Sequence, residues 1–164
     1  MALNLEDKKQ VVEEVSALAQ SALAVVAAEY RGLSAVQMDN LRDSARDMSV
    51  TVRVVKNTLA RRALAGSAHE SMAETLTGPL VLLFSTADHG SAAKVTKEFA
   101  KKNDKLVARS LSIGSGLLGS DRLDAIASLP NRDQAIAMLM SVMKAPVGKL
   151  ARTLAAVRDA KEAA

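Results

Sequence analysis

The 164 residues contain no cysteine and no tryptophan, and the aromatic residues amount to Tyr30, Phe84 and Phe99. Without thiols there is no disulfide framework, no thiolate metal site and no cysteine nucleophile. Three aromatics argue against a row of base-stacking rings and against an aromatic-lined sugar site. With only His69 and His89, a multi-histidine metal centre is out as well. The longest apolar runs, Ala22–Ala28 and Ala135–Met140, are far shorter than the roughly 20 residues a bilayer requires. The opening residues do not read as a signal peptide, which needs a basic start and a longer apolar run. The expectation is a soluble protein of the cytoplasm with no membrane partner.

Half of the chain is hydrophobic (49%), enough for a packed core, and the length suits one domain or one domain plus an extension. The net charge is +4 and the pI about 9.5, a mild bias whose distribution says more than its sum. Residues 1–50 hold five basic and eight acidic side chains. Residues 51–62 hold Arg53, Lys56, Arg61 and Arg62 with no acid. Residues 94–109 hold six basic side chains against Glu98 and Asp104, and 132–164 hold six against three. The positive charge is focused in segments.

Asn4 with Asp7 has the pattern of a helix start, and Val12, Val15, Leu18 and Ala22 mark one face of a helix near 5–20. Leu23–Glu29 reads as a buried strand ended by Arg31-Gly32. Ser34 and Gln37 form a capping box that opens a helix to about Met48. Val50–Val55 is rich in β-branched residues and reads as a strand. Asn57-Thr58 should cap a third helix that Gly66-Ser67 ends, followed by a short helix over about His69–Leu76. Gly78-Pro79 punctuates. Leu80–Ser85 is a strand, Ser91–Lys102 a helix, Leu106–Ile113 a strand and Asp121–Leu129 a short helix. The alternation predicts an α/β (α+β) head over 1–130, with a mixed sheet flanked by helices.

After Leu129-Pro130, Asn131 and Gln134 again suggest a capping box. Ile136, Met143, Leu150 and Val157 then recur every seven residues, with Met140, Val147 and Leu154 between them. This is a heptad seam on a helix of roughly 28 residues, about 42 Å long. Such a length exceeds the diameter of a head this size, so part of the helix must project. An apolar seam in water calls for a partner, and helix-in-groove or bundle packing is its natural use. Pro146 and Gly148 predict a hinge that kinks the helix into two halves. Met138, Met140 and Met143 suit an adaptable contact surface.

No enzyme chemistry assembles from the remaining residues, and no cofactor is expected. Gly114-Ser115-Gly116-Leu117-Leu118-Gly119 matches a dinucleotide-binding fingerprint after a predicted strand, but lacks the acidic residue of that motif about 20 positions on. It reads as a flexible loop. His69 and His89 read as cap or loop residues, and Asp39, Arg42, Asp43, Arg46 and Asp47 as a solvated helix face. The segment Arg53 to Arg62 differs. A strand ends, a helix opens at Asn57-Thr58 with free N–H groups, and Arg61 and Arg62 follow one turn later. Basic side chains beside a helix N-terminus suit a nucleic-acid backbone.

These residues resemble a known family, the large-subunit ribosomal protein ten of bacteria, related to the P-zero stalk-base proteins. The resemblance covers essentially the whole chain. It is carried by Met1-Ala2-Leu3-Asn4-Leu5 with Lys8, by Arg31-Gly32, by Arg53 to Leu59 with Arg61-Arg62-Ala63, and by Gly78-Pro79. Lys97 to Ala100, Leu129-Pro130, Gly148-Lys149-Leu150 and Arg152 to Asp159 complete it.

The resemblance implies a ribosomal scaffold whose head binds large-subunit ribosomal RNA at the stalk base, in the GTPase-associated centre, beside ribosomal protein eleven. Its C-terminal helix, 131–164, would hold dimers of the acidic stalk protein, two or three of them, which recruit translational GTPases. It would also repress translation of its own message. Matching positions assign Arg31, Gly32, Arg53, Lys56, Asn57, Thr58, Arg61 and Arg62 to RNA, with Lys8 and Lys9 as further candidates. They assign Ile136, Met140, Met143, Val147, Leu150, Leu154 and Val157 to the stalk protein. Two other readings are open to test: a nucleotide-dependent enzyme using the 114–119 loop, and a coiled-coil protein whose tail pairs with itself.

Overall fold

A computed structural model describes residues 4–114 and 116–162. The chain divides into two compact units, Met1–Leu129 and Pro130–Ala164.

The first unit contains α1 (Leu5–Ser21), β1 (Ala24–Glu29), α2 (Ala35–Asp47), β2 (Val50–Val54) and α3 (Asn57–Leu64). A 3₁₀ helix (Glu70–Thr75) leads to β3 (Leu80–Ser85), α4 (Ser91–Lys102) and β4 (Val107–Ser112). Then come β5 (Leu117–Gly119), a second 3₁₀ turn (Ser120–Arg122) and α5 (Leu123–Ala127). Two of the expected helix starts form as the sequence suggests. The Asn4 N–H donates to the Asp7 carboxylate at 3.1 Å, and Ser34 and Gln37 exchange two bonds at 2.9 and 3.3 Å. The third does not. α3 begins at Asn57 with Lys56 flanking it and no side-chain cap. The Asn57 amide instead donates to the Gly78 carbonyl at 2.8 Å.

The five strands form one sheet in the order β2-β3-β1-β4-β5, and every described pairing is antiparallel. The mixed sheet expected from the alternation is therefore corrected. Each helical crossover does join parallel strands, β1 to β2 through α2 and β3 to β4 through α4. A strand of opposite direction sits between the two members of each pair. These are two interleaved split β-α-β units, the ferredoxin-like arrangement, with α3 and the 3₁₀ helix in the β2–β3 connection.

The central strands explain the core. Along β1, Val26 and Ala28 face one layer and Val25 and Ala27 the other. Along β3, Val81 and Leu83 alternate in the same way with Leu80, Leu82 and Phe84. One face is covered by Leu41 and Ala45 of α2, by Ala92, Val95 and Phe99 of α4, and by Ile126 of α5. The other is covered by Val15 and Ala19 of α1, by Ala60, Ala63 and Leu64 of α3, and by Met72. Central strands covered on both sides need apolar residues at every position, which is why β1 and β3 read as unbroken runs.

The second unit is α6, Arg132–Glu162, one continuous helix of 31 residues that passes through Pro146. The hinge expected at Pro146 and Gly148 lies within this one helix, so the two halves on either side of it are parts of a single element. Proline removes one N–H, so the Val142 carbonyl has no N–H four residues on, and the remaining ladder carries the helix onward. None of its described residues is buried.

Candidate nucleic-acid interface and partner helix

The sheet register brings the basic motifs together. Glu29 at the end of β1 pairs with Leu80 and with Val107, and Val54 at the end of β2 pairs with Val81. The last residues of β1 and β2 and the first of β3 and β4 thus share one end of the sheet. Tyr30-Arg31-Gly32, Val55 to Thr58, Gly78-Pro79 and Lys105-Leu106 all emerge there.

Arg31 is exposed in a tight turn closed by the Leu33 N–H donating to the Tyr30 carbonyl at 3.1 Å. Gly32 has φ +90°, a conformation that favours glycine, and the Lys105 side chain lies over it, 3.4 Å from where a Cβ would stand. Tyr30, Lys56, Asn57, Thr58, Gly78 and Pro79 surround an open depression of about 490 Å³ with Val54, Val55 and Leu80 in its lining.

A second cluster lies between α1 and α3. Lys8, Lys9 and Arg62 line a groove of about 550 Å³ whose apolar residues include Leu5, Val12 and Leu59. Arg53 stands apart from both clusters. It is half-exposed and ion-paired to Glu14 of α1 at 3.5 Å. The structure gives Arg61 a structural task, because its guanidinium donates to the Leu76 carbonyl at 2.7 Å.

Charge balance separates these groups. Among the described residues, Arg42 pairs with Asp39 and Arg46 with Asp43, the solvated mixed face expected of α2. Arg109 pairs with Glu29. Among the described residues, no ion pair involves Lys8, Lys9, Arg31, Lys56 or Arg62. Cations without a protein counter-charge are free to neutralise phosphates, which releases the counterions condensed on a nucleic acid with a gain in entropy.

Sequence reasoning missed three cations with the same property. Lys101 and Lys102 end α4, and Lys105 follows in the loop to β4. The neighbouring Asn103 accepts from Gln37 of α2 at 2.8 Å, which ties this loop to the first turn after Arg31-Gly32. The excess of charge over 94–109 was visible. Its placement beside Gly32 depends on β4 pairing with β1, a contact remote in sequence.

The glycine-rich loop makes no dinucleotide site. A fingerprint of that kind needs its glycines to open a helix. Here Leu117–Gly119 is a short strand paired antiparallel to β4, an element the loop reading did not anticipate. Ser115 lies outside the described residues. His69 takes the cap position expected of it, with a further role. It flanks the 3₁₀ helix as a cap residue, but it is fully buried, with Nδ1 2.9 Å from the Ser112 hydroxyl and Nε2 3.2 Å from the Ala22 carbonyl. His89 is exposed, with Nδ1 3.3 Å from the Leu23 carbonyl. Among the described residues no group of acids and histidines is placed to hold a metal ion.

On α6 every seam residue is exposed. Ile136 is 47% accessible and Met143 73%, and Met140, Val147, Leu150, Leu154 and Val157 fall between them. Met138, Leu139 and Val142 are exposed beside the seam. Gly148 accepts a bond from the Arg152 guanidinium at 3.1 Å.

Comparison with known proteins decides the family. A family model described as ribosomal protein L10 matches residues 3–101, and one described as the C-terminal region of ribosomal protein uL10 matches 129–164. The chain belongs to the uL10 family. Large ribosomal subunit protein uL10 of Halorhodospira halophila is 55% identical over 100% of both chains. The protein of that name from Hydrogenovibrio crunogenus is 56% identical over 99% of this chain and 98% of its own. That from Pseudomonas fluorescens is 49% identical over 100% of this chain and 99% of its own. The chain is thus a large-subunit ribosomal protein of a non-enzymatic family, acting in translation, and its place is the ribosome in the cytoplasm. No described helix is long and apolar enough to cross a membrane.

Proposed function

We propose that the chain is a two-part scaffold of the ribosomal stalk. The head (1–130) binds large-subunit RNA at the stalk base, beside ribosomal protein eleven. The C-terminal helix (131–164) holds dimers of the acidic stalk protein, which bring translational GTPases to the ribosome. In this reading Arg31, Lys56, Arg62, Lys8 and Lys9 face phosphates, joined by Lys101, Lys102 and Lys105. Gly32 lets the backbone approach closely, and Arg53 exchanges Glu14 for RNA. Asn57 and Arg61 shape the surface by holding the turn that carries Gly78, and Thr58 stands at its edge. Ile136, Met140, Met143, Val147, Leu150, Leu154 and Val157 form the stalk-protein seam. Pro146 and Gly148 divide it into two platforms, which favours two dimers over three. Repression of its own message uses the same RNA surface.

The observation that carries this reading is the pairing of unneutralised cations in the head with an exposed seam of seven apolar residues on α6. The first suits a polyanion and the second a hydrophobic helix bundle. The test is binding of a stalk-base RNA transcript at a series of salt concentrations. Each of Arg31→Ala and Lys56→Ala should lower the slope of log K against log salt by about one. Unchanged affinity and slope in both variants would mean that this end of the sheet is not the RNA face.

A further inference from the structure

Tyr30 is the one aromatic residue of the chain outside the core. Phe84 is fully buried and Phe99 is 7% accessible, both within the apolar layers beside the sheet. Tyr30 is half-buried. One side packs on the core, and it also lines the open depression at the basic end. Its hydroxyl makes no hydrogen bond among the described residues. Its backbone N–H donates to the Pro79 carbonyl at 3.4 Å, which holds that proline beside it.

The apolar Val54, Val55, Pro79 and Leu80 line the depression together with the polar Lys56, Asn57 and Thr58. With the Asn57 side-chain nitrogen held by Gly78, the Asn57 Oδ1 has no partner among the described residues, and neither has the Thr58 hydroxyl. No acidic residue lines the depression. Lys56 is in its wall, and Arg31 follows Tyr30 directly. Neither cation has an ion pair among the described residues. A partly apolar recess without acids, lined by one aromatic residue, an unpaired amide oxygen, a hydroxyl and a lysine, with Arg31 next in the chain, matches the chemistry of a single nucleotide. The base is flat and uncharged, and its phosphate is anionic.

We propose that the depression at the ends of β1 and β2 receives one unpaired nucleobase of the bound RNA, stacked on Tyr30. Lys56 and Arg31 take the adjoining phosphates. Asn57 and Thr58 meet the polar edge of the base. The proposal rests on the RNA-binding reading of the head and adds a base-binding subsite to it. One tyrosine accommodates one base, in keeping with a chain too poor in aromatics for a stacking platform.

The test compares the full-length chain with Tyr30→Phe and Tyr30→Leu, using the stalk-base transcript at several salt concentrations. Tyr30→Phe should bind within about twofold of the parent. Tyr30→Leu keeps the apolar packing and loses the ring, and should bind about fivefold or more weakly. Its salt slope should not change, because no phosphate contact is lost. Ultraviolet crosslinking of the parent complex, mapped by mass spectrometry, should place a nucleotide on the peptide that carries Tyr30, and it does not depend on how any variant folds. Salt-dependent binding with Tyr30→Leu equal to the parent and no crosslink at Tyr30 would overturn the subsite alone. Absence of salt-dependent binding by the parent would overturn the RNA reading and the subsite together.

Discussion

Arg61 and Lys56 stand five residues apart and serve different ends. Lys56 reaches no acid, whereas Arg61 clasps the carbonyl of Leu76, fifteen residues on. Lys56→Ala should therefore change RNA binding and leave the fold alone. Arg61→Ala frees a partly buried carbonyl and loosens the turn at Gly78, and should lower unfolding stability by about 1–2 kcal/mol in a urea titration. A variant as stable as the parent would return Arg61 to the RNA surface. His69 is a stronger case. A carbonyl only accepts, so in the neutral ring Nε2 carries the proton toward Ala22 and Nδ1 accepts from Ser112. The side chain ties the end of α1 to β4 through a fully buried ring. His69→Ala leaves a cavity and unpaired polar groups, at a cost of about 2–4 kcal/mol. Thermal or urea unfolding measures it, and a loss well under 1 kcal/mol would contradict the account.

Elements differ in how openly the sequence declares them. β1 and β3 were legible because a strand covered on both faces has no choice but apolar residues. α1 and α2 were legible from their capping pairs. The sheet's direction was not, since it depends on β3 entering between β1 and β2, and no local pattern records that. β5 was hidden because three residues that follow Gly116 and end in Gly119 carry too little periodicity. Among the basic groups, Lys56 was legible from its place beside a strand end, and Lys105 only after folding set it over Gly32. Asn57 looked like a cap and proved to be a tie to Gly78. The α6 seam was legible as a repeat of apolar residues along one helix, and its seven side chains are exposed. Burying one such side chain is worth about 1.5–3 kcal/mol. Leu154→Asp should therefore weaken binding of the stalk protein at least tenfold and leave RNA affinity unchanged. Titration of the variant with the acidic stalk protein checks the first effect, and unchanged stoichiometry and affinity would remove Leu154 from the seam.

At the scale of the whole molecule the two units have opposite surfaces. The head offers cations to a polyanion, an attraction that salt weakens. The helix offers apolar side chains, whose burial salt leaves intact or strengthens. On the scaffold proposal, a chain with both joins an RNA to a protein bundle without chemistry of its own, and the uL10 family to which it belongs is non-enzymatic. The alternative, a tail that pairs with a second copy of itself, uses the same seam and predicts a different partner. Native mass spectrometry of the chain purified from its own cells under mild salt separates the two. The account predicts one copy of this chain with an even number of copies of a small acidic protein. A bare monomer, or a homodimer held through residues 132–164, would contradict it.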